Sequence, residues 1–383
     1  MGPCPANVVS AELPAEDVTK LLTDLVCGAP RAAGVATVDP YGLTTLADAH
    51  GLLPLLAWRL DGCAEVPAAL AEALHLAARR ALVDELVQGE ALRRVLEAMS
   101  ARGLRPVLMK GAQLAYSAYA RPDLRPRVDS DLLITLAERG ATAATLADLG
   151  YQELAQVPGE LVSYQRSYAL SRNGGTRHVV DVHWRIANPQ RFGAVVPPDR
   201  VLKDAVPVPA LGPAARGLSP WHALVVACVH PVAHHANQPY LIWQYDVHHI
   251  ASDFKAADWE RFVSAAVTGA VAGICRASLA ASVRTFGTTV PDAVWSALED
   301  SAATPDDVDR SVYLDGDLRH IERVWWDMQT LPTWRERVRL LRQHVFPPAR
   351  YMRQVYAPSS VAPLTWLYAR RVWSGAHKWL GRP

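Results

Sequence analysis

Asp129-Ser130-Asp131 sets two carboxylates two residues apart, directly ahead of the apolar run Leu132-Leu133-Ile134. On a strand, residues two apart share a face. Acids held that close repel each other unless a cation lies between them or one takes a proton. A hard cation such as Mg²⁺ is commonly held by one or two carboxylates together with substrate phosphates. A third acid, Asp181, lies in the strand-like segment RHVVDVHWRI, residues 177–186, where Asp181 and His183 share one face and Val180, Val182 and Trp184 the other. An isolated Asp-x-Asp is common at solvated strand edges, so its surroundings decide its meaning. Two neighbouring strands would bring Asp129, Asp131 and Asp181 around one point, where they could hold Mg²⁺ or Mn²⁺ on a nucleoside triphosphate.

The residues upstream suit the phosphates. The apolar run Val107-Leu108-Met109 meets Lys110-Gly111 and then Ala112. Glycine lets backbone approach a phosphate, and a helix start just after it offers unpaired N–H donors. Lys110 supplies a point charge and is one of only five lysines among thirty-nine basic residues. Arg121, Arg125 and Arg127, in a proline-containing loop, could clamp phosphate oxygens. In-line attack on an α-phosphorus needs such neutralisation and positioning more than covalent chemistry.

These residues need elements to carry them. Apolar spacing predicts short helices over residues 1–66, among them Asp17–Val26, stopped by Gly28-Ala29-Pro30, and Leu43–Leu60, broken near Gly51. Ala68–Arg102 reads as one long amphipathic helix with Leu70, Leu74, Leu82, Leu86, Leu92 and Leu96 on a stripe, capped by Gly103. A strand over Arg105–Met109, a short helix over Gln113–Tyr119, a loop to Val128 and a strand over Asp129–Ile134 follow. Ala137–Leu149 reads as a helix. A hairpin then turns at Asn173-Gly174-Gly175. Residues 195–213 read as a proline-rich link. Ser219-Pro220 opens helices over Trp221–Val232, Leu241–Ser252 and Trp259–Phe286. Amphipathic helices around Pro332, Pro347 and Pro363 complete the chain.

The fold class expected is α+β, a small mixed sheet embedded in a mostly helical chain. Four regions are expected: residues 1–102 helical, 103–213 the core with the acids, 214–310 helical, and 311–383 a basic Trp/Arg-rich tail. From Leu331 onward ten Arg/Lys face the single acid Glu336, a net +9, which leaves −8 for residues 1–330 of a chain whose total is +1. The whole chain thus lacks a nucleic-acid signature. The tail, with six of the twelve tryptophans nearby, could meet an anionic partner such as a membrane surface, RNA or an acidic peptide. Five scattered cysteines with no CxxC pair fit a reducing cytoplasm. The N-terminal MGPCPANVVSAELP has neither a basic start nor an apolar core, so no signal peptide is expected. No apolar run reaches the roughly 18 residues of a membrane span.

Taken together, these motifs resemble the uncharacterised nucleotidyltransferase family of the DNA polymerase β-type superfamily. Met109-Lys110-Gly111 resembles its Leu-Lys-Gly segment. Leu124-Arg125-Pro126 followed by Asp129-Ser130-Asp131 resembles its Leu-Arg-Pro and Asp-x-Asp, and Asp181-Val182-His183-Trp184 its Asp-x-His-Trp. Trp243-Gln244-Tyr245-Asp246 and the region Leu46–Leu55 match further elements. The resemblance covers roughly residues 40–360 and implies Mg²⁺-dependent transfer of a nucleotidyl group from an NTP, ATP among them, to an acceptor. Asp129, Asp131 and Asp181 would be the catalytic, metal-holding acids. Lys110, Gly111, Ala112, Arg125 and Arg127 would bind nucleotide. Ala112 departs from the superfamily's serine and removes a hydroxyl. Ser130 stands where an aliphatic residue is expected, which should loosen packing behind the acids. His183, as general base or orienting group, with Tyr245 and Asp246, are candidates for the acceptor side. His230 and His234, four apart, offer a weaker zinc reading, interrupted by Pro231. The other class of function is a non-catalytic binding or accessory protein on the same fold.

Overall fold

The structure is a computed structural model that describes residues 15–28, 35, 38–156, 161–172, 175–193, 195–316, 318–356 and 362–380. Ala29-Pro30 and Asn173-Gly174, expected as a helix stop and a turn, lie outside the described residues. The strands are β1 (Val107–Met109), β2 (Ser130–Leu133), β3 (Gln152–Glu153), β4 (Gln165–Arg172), β5 (Gly175–His183), β6 (Val206–Pro207) and β7 (Arg216–Gly217). They form one mixed sheet in the order β3-β4-β5-β2-β1-β7-β6. The expected α+β class therefore holds, with helices making up most of the chain.

The helices before the hairpin are α1 (Ala15–Val26), α2 (Pro40–Ala49), α3 (Leu53–Leu60), α4 (Ala68–Ala101), α5 (Lys110–Ser117) and α6 (Arg139–Asp148). After it come α7 (Pro198–Asp204), α8 (Pro220–His234), α9 (Leu241–Ser252), α10 (Ala256–Thr268), α11 (Ala272–Phe286), α12 (Asp292–Ser301) and α13 (Pro305–Ser311). The tail is α14 (His320–Thr330), α15 (Trp334–Val345), α16 (Ala349–Tyr356) and α17 (Leu364–Leu380).

Strand alternation decides which core each side chain joins. Leu108, Leu132, Val180 and Val182 face one way and pack with Leu92, Val95, Leu96 and Met99 of α4. Val107, Met109 and Leu133 face the other way, into a larger core that runs from Leu22 of α1 to Tyr313 and includes α8 and α9. Asp131 shares the parity of Leu133, and Asp181 that of His183, so the acids look toward the second core.

Several expectations change. Leu82 and Leu86 of α4 are exposed, because the long helix serves two cores: Leu70 and Leu74 join α3 at one end, and Leu92 and Leu96 meet the sheet at the other. The link over 195–213 is not structureless. It holds α7 and strand β6, which pairs with β7 and extends the sheet beside β1. The single helix expected over Trp259–Phe286 is two, because the chain turns at Gly269–Val271; a Cβ on Gly269 would lie 2.4 Å from the Val195 carbonyl oxygen. Ser219 does precede α8, but its hydroxyl meets Nδ1 of His222 at 3.0 Å instead of capping backbone.

A candidate acidic site at the sheet edge

Register brings the acids together. β2 and β5 run parallel with Asp131 opposite Asp181 and Leu133 opposite His183. β1 is antiparallel to β2 with Met109 opposite Asp131, so Lys110, the next residue, rises beside that carboxylate. Its Nζ lies 2.7 Å from Asp131 Oδ1, and His183 Nε2 lies 2.8 Å from the same oxygen. Asp131, Asp181 and His183 can each present one ligand atom within 4.8 Å of the others, a spacing that suits a cation. Asp129 stands one residue before β2, close enough for its charge to feel both other acids.

Electrostatics follows from this crowding. Burial, with Asp131 and then Asp181 alongside, pushes the Asp129 carboxyl up to about 7. Burial alone would raise Asp131 too, yet the Lys110 ammonium and the His183 ring hold it well below the usual carboxylate range. A set in which one acid resists ionisation while its neighbour is firmly ionised fits a place built for added positive charge. Lys110 adopts φ +53°, left-handed for a non-glycine residue. Such backbone costs about 1–3 kcal/mol and persists only where surroundings enforce it.

Asp181 is pinned through a carboxamide chain. Gln165 Nε2 donates to Asp181 Oδ2 at 3.0 Å, and Asn188 Nδ2 donates to Gln165 Oε1 at 2.9 Å. Neither residue stood out in the sequence. The hairpin register that sets Ser167 opposite Asp181 puts Gln165 on the same face, two residues away.

The acids and Lys110 line a cavity of about 450 Å³, a size that takes a nucleotide. Its far wall comes from the end of α8, His230 and His234, with His235 that follows it, and from Trp243 of α9. The His230 and His234 ring centroids are 5.4 Å apart. Burial, then Lys110, holds both well below the ordinary imidazole range, so they are neutral. They stand apart from the group of ligand atoms around Asp131, so the zinc reading gains nothing here.

The nucleotide and acceptor candidates separate. Lys110, Gly111, Arg125 and Arg127 all line the cavity, whereas Ala112 does not. Ala112 turns its methyl into the core behind the sheet, which leaves only its backbone to offer. Arg125 forms a buried bidentate pair with Asp246, from Nε at 2.9 Å and Nη2 at 2.7 Å, and donates Nη1 to the Pro126 carbonyl at 2.7 Å. Its charge is thus already neutralised, against the expected phosphate clamp. Gly111 rests on this guanidinium: a Cβ there would sit 3.3 Å from Nη1. Arg127 pairs with Glu85 of α4 and lies over the Tyr116 ring, while its Nε has no partner. Arg121 pairs with Asp123. Tyr245, expected on the acceptor side, packs against Tyr119, His249 and Phe286 and is not among the lining residues. Asp246 reaches the cavity only as the partner of Arg125 and of the Tyr119 hydroxyl, 2.8 Å away.

Ser130 corrects another expectation. The packing behind the acids is not loosened, because its buried hydroxyl meets His178 Nε2 at 2.9 Å and His178 Nδ1 meets the Tyr151 hydroxyl at 2.6 Å. Burial, then Arg127, lowers His178 to about 3. The unfolded chain, with an ordinary imidazole near 6.5, binds a proton between those values that the folded chain does not. The contribution of His178 to folding stability should therefore fall as pH drops from about 6.5 toward about 3, by about 2 kcal/mol over the first 1.5 units. Urea denaturation of the chain and of His178→Gln at pH 7 and pH 5 checks this; an unchanged pH slope in the variant would remove His178 as its source.

A model of the uncharacterised nucleotidyltransferase family matches residues 36–287. Among curated proteins, none matches the chain.

Proposed function

The chain belongs to the uncharacterised nucleotidyltransferase family, and from that footing we propose that it transfers a nucleoside monophosphate from an NTP to an acceptor. The observation that carries this reading is the convergence of Asp131, Asp181 and His183 within 4.8 Å beside a cavity of nucleotide size. Asp131 and Asp181, with Asp129 completing the acidic set, would hold Mg²⁺ or Mn²⁺, which supplies charge neutralisation at the triphosphate.

The remaining roles belong to the chain itself. Lys110 places a positive charge at the cavity wall for phosphate oxygens, and Gly111 keeps that wall open to them. Arg127 can add its unpartnered Nε–H. Asp181, held by Gln165, accepts the proton of the attacking acceptor group as the new bond to the α-phosphorus forms and pyrophosphate leaves. His183 fixes the Asp131 carboxylate through Nε2. Arg125 acts one step back, supporting Gly111.

The direct test is a thermal-shift series with ATP, CTP, GTP and UTP, each with and without Mg²⁺. At a ligand concentration of about 100 Kd, linkage stabilises by about 2.7 kcal/mol, a shift of several degrees. Mg²⁺-dependent stabilisation by at least one NTP is expected. Stabilisation by none would favour the non-catalytic accessory role. Labelled NTPs added to a cell extract, followed by mass detection of the labelled product, then identify the acceptor.

A further inference from the structure

The last four helices leave much of their apolar surface outward. Of the five exposed tryptophans among the described residues, four lie here: Trp325, Trp334, Trp366 and Trp373, the last 83% exposed. On α15, Trp334, Val338, Leu341 and Val345 recur at helical spacing and form one stripe. Trp334 and Val338 are exposed, whereas Leu340, on the opposite side, is fully buried and ties the helix to the protein. Arg335 and Arg342 border one edge of that stripe and Arg337 the other. On α17, Trp366, Ala369 and Trp373 share a second outward stripe, with Leu367 buried and Arg370 over the Trp366 ring.

We propose that α15 and α17 form a peripheral docking surface for an anionic phospholipid membrane. Charge complementarity selects this partner: residues 331–383 carry a net +9. Each helix has an apolar stripe with arginines along its edges, carrying one indole at the start of α15 and two on α17, which is the composition of a helix lying in the interface plane. The aliphatic share of the surface separates lipid from RNA, since Val338, Leu341 and Val372 gain nothing against phosphates or stacked bases. Among the described residues no helix is long and apolar enough to cross a membrane, so the contact lies on the surface. The inference stands on residues outside the family match and does not depend on nucleotidyl transfer.

Co-sedimentation of the full chain with large vesicles tests it. Binding to phosphatidylcholine vesicles containing about one third phosphatidylglycerol should exceed binding to pure phosphatidylcholine by at least about tenfold, and should weaken as salt rises. Trp334→Ala combined with Trp373→Ala should lower that binding by about tenfold or more, with an unchanged melting curve because both side chains are exposed. Brominated anionic lipid should quench the tryptophan fluorescence of the unaltered chain, a readout that needs no variant. Equal binding to both vesicle types, binding to neither, or a double variant that binds like the parent would overturn the proposal. Capture of an RNA oligonucleotide without vesicle binding would assign the surface to nucleic acid instead.

Discussion

Asp181→Asn is expected to lower nucleotidyl transfer on the order of 10²–10³-fold, the usual scale for removing one preorganised electrostatic contact to a transition state, while the chain keeps its melting behaviour. The substitution keeps the shape of the side chain. Its new carbonyl can still accept from Gln165 Nε2, which now lies 3.0 Å from Asp181 Oδ2. What disappears is one charge from a crowded set and the oxygen proposed to take the acceptor's proton. Since Asp181 is among the causes that raise Asp129, its neutralisation should let Asp129 ionise at lower pH. Asp131→Asn is a poorer probe, because it would leave Lys110 and His183 facing a neutral amide in a buried place and confound activity with stability. The measurement pairs transfer from labelled NTP with the Mg²⁺-dependent thermal shift. Retention of more than about a tenth of the parent turnover would remove Asp181 from the proposed chemistry.

What could be seen in the sequence was what local periodicity encodes. The period-2 alternation of residues 177–186 put Asp181 and His183 on one face, and the structure keeps them there opposite Asp131 and Leu133. The capping glycine and the apolar stripe located α4. Its two-core packing was hidden because Leu82 and Leu86 satisfy the same pattern as Leu92 and Leu96 and only tertiary partners tell them apart. The β6–β7 pair was invisible because strands of two residues have no period to read. The largest revision concerns polar partners distant in sequence. Arg125 looked like a phosphate ligand because its partner, Asp246, is 121 residues away. Ser130 looked like a packing defect because His178 is 48 residues away. Residue type proposes such contacts, but register and helix packing decide them.

The Arg125–Asp246 pair should give the largest stability effect. Both side chains are nearly buried, at 9% and 5% exposure. Asp246→Ala would leave a guanidinium without its counter-charge and the Tyr119 hydroxyl without its acceptor, a loss of about 3–5 kcal/mol for breaking a buried pair. Arg125→Met should cost a similar amount by stranding the carboxylate. The double variant Arg125→Met with Asp246→Leu should recover most of the loss, since an apolar replacement removes the desolvation of both charges. Chemical denaturation of the four chains yields the coupling energy directly, and single variants that each cost under about 1 kcal/mol would show the pair to be dispensable. NTP binding separates the two roles open to Arg125. A guanidinium held in reserve for phosphate would be released by Asp246→Asn and bind NTP at least as tightly as before. A strut beneath Gly111 would instead lose stability and NTP affinity together, and recovered stability in the double variant would not restore affinity, because a methionine cannot reproduce the flat surface on which Gly111 rests. The buried bidentate geometry and the 3.3 Å approach to Gly111 support the strut.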